Sequence, residues 1–340
     1  MKLCEMVPFN DKIEGDDCFT LAISNILRYK GFTNYQSVYK QCAIVYYEGE
    51  NNSLPLIRSR FMNITEELYF GHKIRIKKHK IEQPELFLTL IRSWIKQNEP
   101  VLIGVDPFYL PFSLHYQDRH TLHYITAIDF TKNMINIVDD SYNIKQEISD
   151  SVLLQSTQDI QFNRHFFTLH AEEAVGHICR DSIFNVIRRN VEVNQECSKI
   201  EKMRELENLP RSTKVIVGIP GLHQFIVNLE SFVNNSACLA KSSLFELGTI
   251  LSRMATSRYR YAHFLRNSSV LEAKLIDLAE SYFQLGQDWT VATNMIFKSS
   301  FMKNDVSKQA MLARMIKKLK EIALDEEISL TKCEALILKL

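Results

Sequence analysis

Three side chains in this sequence have the types and placement for nucleophilic chemistry: Cys18, His123 and Asp139. Cys18 stands in the segment EGDDCFTLAISNILRYKGF, at the opening of an apolar helical pattern that Gly31 closes as a natural C-terminal cap. A thiol in the first helical turn meets unpaired backbone N–H groups and the positive end of the helix dipole, which favour thiolate over thiol. The same N–H groups can donate to a developing oxyanion. Asp16 or Asp17, just before the thiol, can serve simply as the helix cap, with Cys18 as a first-turn apolar residue. Carboxylates beside a thiol also raise its pKa, so activation requires a cationic partner.

Residues 99–140, EPVLIGVDPFYLPFSLHYQDRHTLHYITAIDFTKNMINIVDD, supply that partner. VLIGVD reads as a buried strand, a long loop follows, and HYITAID pairs with MINIVDD through a turn at Thr131–Asn133. His123 opens the first strand of this hairpin and Asp139 closes the second, so antiparallel pairing brings the two together. In a Cys–His–Asp set the imidazole takes the thiol proton, and the carboxylate fixes its tautomer and steadies the imidazolium. His120 and Asp140 compete for these roles; His123 is preferred because it begins the strand, which leaves His120 in the loop. The bland alternative is a loop histidine and a strand-ending aspartate without a role.

The elements that must position these residues change in character along the chain. Up to about residue 165 helical stretches mix with short β runs: helices over 17–30, near 34–47 and over 84–97, and strands over 73–79, 101–106, 123–129 and 134–139. Beyond about residue 170 helical periodicity takes over, as in LFELGTILSRMATSRYRYAHFLR (244–266) and SKQAMLARMIKKLKEIAL (307–324). The expectation is an α+β catalytic domain over residues 1–165 and an all-helical domain over 166–340.

Composition narrows the function classes. The chain has 340 residues, 46% of them hydrophobic, and a net charge of +1, too weak a field to favour nucleic acid or an anionic membrane. No long apolar run or signal-peptide core is present, and the expected location is cytoplasmic. Cysteines at 4, 18, 42, 179, 197, 238 and 333 lack CxxC spacing, so neither a metal site nor a disulfide framework is expected. HKIRIKKHK (72–80) alternates Ile with cations and gives a strand with one apolar and one basic face; a solvated, lysine-guarded edge strand is its plain reading. DPFYLPFSLHYQ (106–117) is aromatic and suits either a substrate wall or interdomain packing, and RYRYAHFLR (258–266) puts Arg258, Tyr261, His263 and Arg266 on more than one helix face.

Together, DDCFTLAISNILRYKG, PVLIGVDPFYLPF, HYITAIDF and INIVDDSY resemble the N-terminal domain of the butirosin biosynthesis protein H family, which is similar in fold to papain-like C39 peptidases. SRYRYAHFL (257–265) and the helix around Trp289 resemble the helical domain that accompanies it, so the resemblance covers nearly the whole chain. It implies an acyltransferase of natural-product biosynthesis that takes an acyl or peptidyl group from a carrier-protein thioester, carries it on Cys18, and passes it to an amine. No bound cofactor or metal is implied, because the carrier protein brings the 4′-phosphopantetheine arm. With the resemblance, Phe108, Tyr109 and Tyr261 become candidates for substrate binding. Lys73, Arg75 and Lys77 become candidates for docking an acidic carrier protein. One departure concerns the oxyanion hole: papain-like enzymes carry Gln about six residues before the nucleophile, and Lys12 stands there instead. Asn10, Lys12 and the backbone N–H of Cys18 are the alternatives. The rival readings are coupling of thioamide or peptide-like chains to a diamine, as in closthioamide assembly; hydrolysis by a peptidase or thioesterase using the same triad; and a binding module that has lost its chemistry.

Overall fold

Short apolar runs and amphipathic stretches alternate through the first half of the chain, and they fold as an α+β arrangement followed by a helical region. The computed structural model describes residues 2–8, 17–32, 38–49, 54–158, 164–171, 180–195, 200–234 and 240–338. In chain order the helices are α1 (Cys18–Tyr29), α2 (Ile64–His72), α3 (Pro84–Lys96), α4 (Asp150–Ser156), α5 (Arg180–Gln195), α6 (Ile200–Leu206), α7 (Gly218–Asn234), α8 (Lys241–Ser268), α9 (Leu275–Phe301) and α10 (Asp305–Ile337). The strands are β1 (Val45–Glu48), β2 (Leu56–Arg58), β3 (Ile74–Lys80), β4 (Val101–Val105), β5 (His123–Phe130), β6 (Met134–Asp139), β7 (Ile144–Ser149), β8 (His165–Ala171) and β9 (Lys214–Val217). Among the described residues no helix is long and apolar enough to cross a membrane.

The chain divides into two compact units. The first contains α1, α3, α4 and a six-stranded sheet in the order β3-β8-β4-β5-β6-β7, in which every pairing is antiparallel. β4 is a central strand buried at every position, which is why VLIGV reads as a continuous apolar run rather than an alternation. β3 lies at the edge; Ile74 and Ile76 point inward while Arg75 and Lys77 are exposed, as the two-residue period requires, and Lys73, also exposed, stands just before the strand with φ +51°. α3 starts with Pro84 in its first turn and buries Phe87, Ile91 and Ile95, a stripe at helical spacing.

The second unit contains a small sheet, β2-β1-β9, and helices α5 to α10. Residues 38–49 and 54–71 belong to it although they precede the 165/166 boundary expected from the sequence. The helix expected near 34–47 is not formed over residues 39–44, and the chain continues into β1; residues 33–37 lie outside the described residues. The physical reason lies in the run Ala43–Tyr47, in which every side chain is buried and the β-branched and aromatic residues suit a strand covered on both faces. Two asparagines one turn apart on α5 stand in for a neighbouring strand: Asn190 accepts from Cys42 N at 2.7 Å and Asn194 from Ile44 N at 2.9 Å. Gly218 opens α7 with φ +67°, and a β-carbon there would lie 1.9 Å from Asn194 O, so only glycine fits.

Candidate active site

α1 starts where the sequence expects. Asp17 caps it: Oδ1 accepts from Thr20 N at 2.8 Å while Thr20 Oγ1 accepts from Asp17 N at 3.1 Å, a reciprocal capping box. Cys18 is therefore the first helical residue, partly exposed, in the turn whose backbone N–H groups have no intrahelical acceptor. At the other end Gly31 takes φ +87°, with Gly31 N donating to Arg28 O and Phe32 N to Leu27 O, both at 3.0 Å. This pair of bonds is a Schellman motif, and it stops the helix.

The hairpin β5–β6 fixes the other two groups. Thr126 pairs with Val138, so Ile125 stands opposite Asp139, and His123, two positions from Ile125, shares its face of the sheet. His123 Nε2 lies 2.7 Å from Asp139 Oδ2; since a carboxylate only accepts, Nε2 carries the proton and donates. Asp139 is fully buried, and its other oxygen accepts from Ser141 N at 3.0 Å and Tyr142 N at 3.2 Å. The Tyr142 ring lies 5.2 Å from the imidazole and its hydroxyl is 3.2 Å from Ser113 Oγ, so the imidazole has a packed neighbour as well as a hydrogen-bonded one.

Cys18 lies near enough to His123 to act on its titration, and with Nε2 committed to Asp139 the nitrogen left for the thiol is Nδ1. Burial alone pushes the imidazole toward its neutral form; the hydrogen bond to Asp139, then the neighbouring Cys18, and the charges of both outweigh it and raise His123 from 6.5 to about 9. Because the folded-state value lies above the ordinary one, the stability contributed by the protonated imidazole is complete below pH 6.5 and is lost as pH rises through about 9. Thermal unfolding of wild type and His123→Gln across that window should show the gap between them narrowing as pH increases. A gap that widened would contradict the assignment.

The neighbouring carboxylate has a different task. Asp140 Oδ1 accepts from Asn25 Nδ2 at 2.7 Å, and Asn25 Oδ1 accepts from Arg28 Nη2 at 2.9 Å, so Asp140 ties α1 to the end of β6 while Asp139 holds the imidazole. Phe19 adds an apolar clamp, with ring centroids 4.7 Å from Tyr124 and 5.3 Å from Phe167. Burial, then the charges of Cys18 and Asp17, push the Tyr124 hydroxyl up to about 12, which keeps it a neutral donor beside the thiol end of α1. Sequence reasoning passed over Tyr142, Asn25 and Tyr124; the only signal available was their closeness in sequence to Asp139, Cys18 and His123.

Phe108 and Tyr109 occupy a 3₁₀ turn just beyond β4, half-buried, with ring centroids 5.1 Å apart. Arg75 and Lys77 lie on the exposed face of β3, and Lys73 is exposed just before it. Tyr261 belongs to the second unit and is fully buried between Phe264 and Tyr282, so its side chain presents no surface to a substrate. Asn10 and Lys12 lie outside the described residues.

Residues 17–140 match the family described as Butirosin biosynthesis protein H, N-terminal. That segment is similar to this family. The match takes in Cys18, His123, Asp139 and Asp140 and stops before Tyr142 and the helices of the second unit. No curated protein matches the chain. The butirosin biosynthesis protein H family is named for the making of an antibiotic, and the chain's α+β region with its helical C-terminal region agrees with the architecture the resemblance implies.

Proposed function

We propose that this protein is a cysteine-dependent acyltransferase of antibiotic biosynthesis, with the first unit forming a papain-like catalytic domain and the helices after it the second domain. The observation that carries the reading is the His123–Asp139 pair beside Cys18: a thiol at the first position of a helix, near a histidine that a buried carboxylate holds at 2.7 Å. His123, raised to about 9, takes the thiol proton of Cys18 and holds it as the imidazolium. Cys18 Sγ attacks the carbonyl carbon of a carrier-protein thioester, the pantetheine sulfur leaves with its electron pair, and His123 gives that sulfur its proton. The amine acceptor then attacks acyl-Cys18, His123 takes a proton from the nitrogen, and Cys18 leaves as thiolate. Exchange of one thioester for another is nearly isoenergetic, and formation of the amide runs downhill.

The oxyanion is assigned to the backbone N–H of Cys18, which the first position of α1 leaves available. Phe108 and Tyr109 are proposed to line the acyl or pantetheine path. The exposed cations Arg75 and Lys77 on β3 and Lys73 just before it suit an acidic carrier protein, and the arm that protein brings is 4′-phosphopantetheine. A small amine is the second substrate. The test is competition: enzyme loaded from an acyl-pantetheine thioester is offered a panel of amines, diamines included, in water. Amide as the main product supports transfer. Free acid as the main product with every amine would make the enzyme a hydrolase.

A further inference from the structure

The loop between β4 and β5 holds a second histidine–carboxylate pair that the triad does not use. His120 Nδ1 donates to Asp106 Oδ2 at 2.6 Å; the carboxylate is fully buried, whereas the imidazole side chain is 51% exposed. The other oxygen of Asp106 accepts from Phe108 N at 3.1 Å and Thr121 N at 3.4 Å, so both ends of the loop are gathered on one carboxylate. The imidazole lies nearly flat on Phe108, with centroids 4.0 Å apart and planes inclined by 23°, and Tyr109 stands 6.0 Å away. Ring plane and Nδ1 are thus both fixed, and Nε2 is the nitrogen left to work with a ligand. An exposed surface histidine needs neither restraint.

The pair lies at the same end of the sheet as the triad. Asp106 directly follows Val105, which is the register partner of His123. Three residues of chain can separate the Cα atoms of His120 and His123 by no more than about 11 Å. A carboxylate that orients a histidine by one nitrogen while the other faces reactants is the arrangement His123 itself has.

We infer that His120, oriented by Asp106, is a second acid–base group of this site, and that the acceptor it serves is an aliphatic amine arriving as its ammonium ion. The inference rests on the acyltransferase reading and deepens it. Two protons leave the nitrogen of a primary ammonium when it becomes an amide. His120 Nε2 takes the first, leaving a lone pair on nitrogen. The nitrogen attacks the acyl carbon, the C–S bond breaks with its electron pair going to Cys18 Sγ, and His123, neutral in the acyl-enzyme, takes the second proton. The thiolate–imidazolium pair is restored, and His120 returns its proton to water. Histidine is the side chain whose ordinary chemistry suits such a transfer near neutral pH.

The test is a comparison of wild type with His120→Gln, whose amide still offers Asp106 a donor. Both are loaded from an acyl-pantetheine thioester at neutral pH, and discharge of the acyl-enzyme is followed by intact mass with two nucleophiles: an aliphatic primary amine, and methoxyamine, which is already unprotonated. Discharge by the aliphatic amine should slow about tenfold to a hundredfold in His120→Gln, while loading and discharge by methoxyamine change less than about twofold. Equal slowing with both nucleophiles, or of loading as well, would make the pair a structural clasp for the loop and overturn the inference. No slowing at all would overturn it too. Failure of the wild type to take up any acyl group would instead sink the acyltransferase reading, and this inference with it.

Discussion

Asp139→Asn should lower acyl transfer by about 10²–10⁴-fold while leaving the protein folded. Asparagine keeps an oxygen where Asp139 Oδ1 accepts from Ser141 N and Tyr142 N, so the turn after β6 survives. The other position becomes an amide NH₂, which donates and cannot accept from His123 Nε2. The imidazole then carries its proton on Nδ1, facing Cys18, and has no lone pair there to take the thiol proton. The same change removes the Asp139 hydrogen bond and charge that help raise His123 to about 9. Rate measurements on purified wild type and variant, with circular dichroism as the control for folding, check this. A variant within about twofold of wild type would remove Asp139 from any role in the chemistry.

The second large effect is on stability. Arg258 is fully buried in the second unit, with Nε donating to Glu326 Oε1 at 2.7 Å, and Trp289 Nε1 donates to the same oxygen at 2.8 Å. Nη1 of Arg258 is held by Ser257 Oγ at 2.9 Å and Ala43 O at 3.4 Å, and the guanidinium carbon lies 5.8 Å from the Trp289 ring. Glu326→Gln leaves that guanidinium buried without its countercharge, which costs about 3–5 kcal/mol, since desolvation is no longer offset by attraction. For a unit of this size the expected fall in melting temperature is on the order of 10 °C. The paired replacement Arg258→Met with Glu326→Met removes both charges together and should cost less than the single change. Thermal unfolding of the three proteins decides the matter: a Glu326→Gln variant that melted with wild type would show that the ion pair contributes nothing.

The parts of the site that local physics governs were legible in the sequence. A helix opening at Cys18 and ending at Gly31 follows from a cap on one side and a residue free to take positive φ on the other, and both are as the structure has them. The strand–turn–strand pattern from His123 to Asp139 likewise forecasts their meeting, because an antiparallel hairpin leaves little freedom once its turn is set. Non-local pairing hid the rest. β1 pairs with β9, far along the chain, and its run of buried residues reads equally as helix until the two asparagines of α5 are known to hold its backbone. The division of labour between Asp139 and Asp140 is invisible for the same reason: their partners, His123 and Asn25, lie on different elements. His120 entered the sequence reading as a rival to His123, and nothing in residue spacing reveals that Asp106, at the far end of its own loop, holds it. Arg258 reads as one of several polar residues on an amphipathic helix, whereas α8 is buried continuously from Met254 to Ala262, so its charge needed an internal partner.

The most direct test is the intact mass of the protein after incubation with a panel of acyl-pantetheine thioesters, comparing wild type, His123→Ala and Cys18→Ala. Wild type should gain the mass of one acyl group, His123→Ala should gain it far more slowly, Cys18→Ala should gain none, and adding an amine should discharge the wild-type adduct as an amide. A Cys18→Ala protein that still took up the acyl group, or still formed amide at the wild-type rate, would contradict the assignment of Cys18 as the nucleophile.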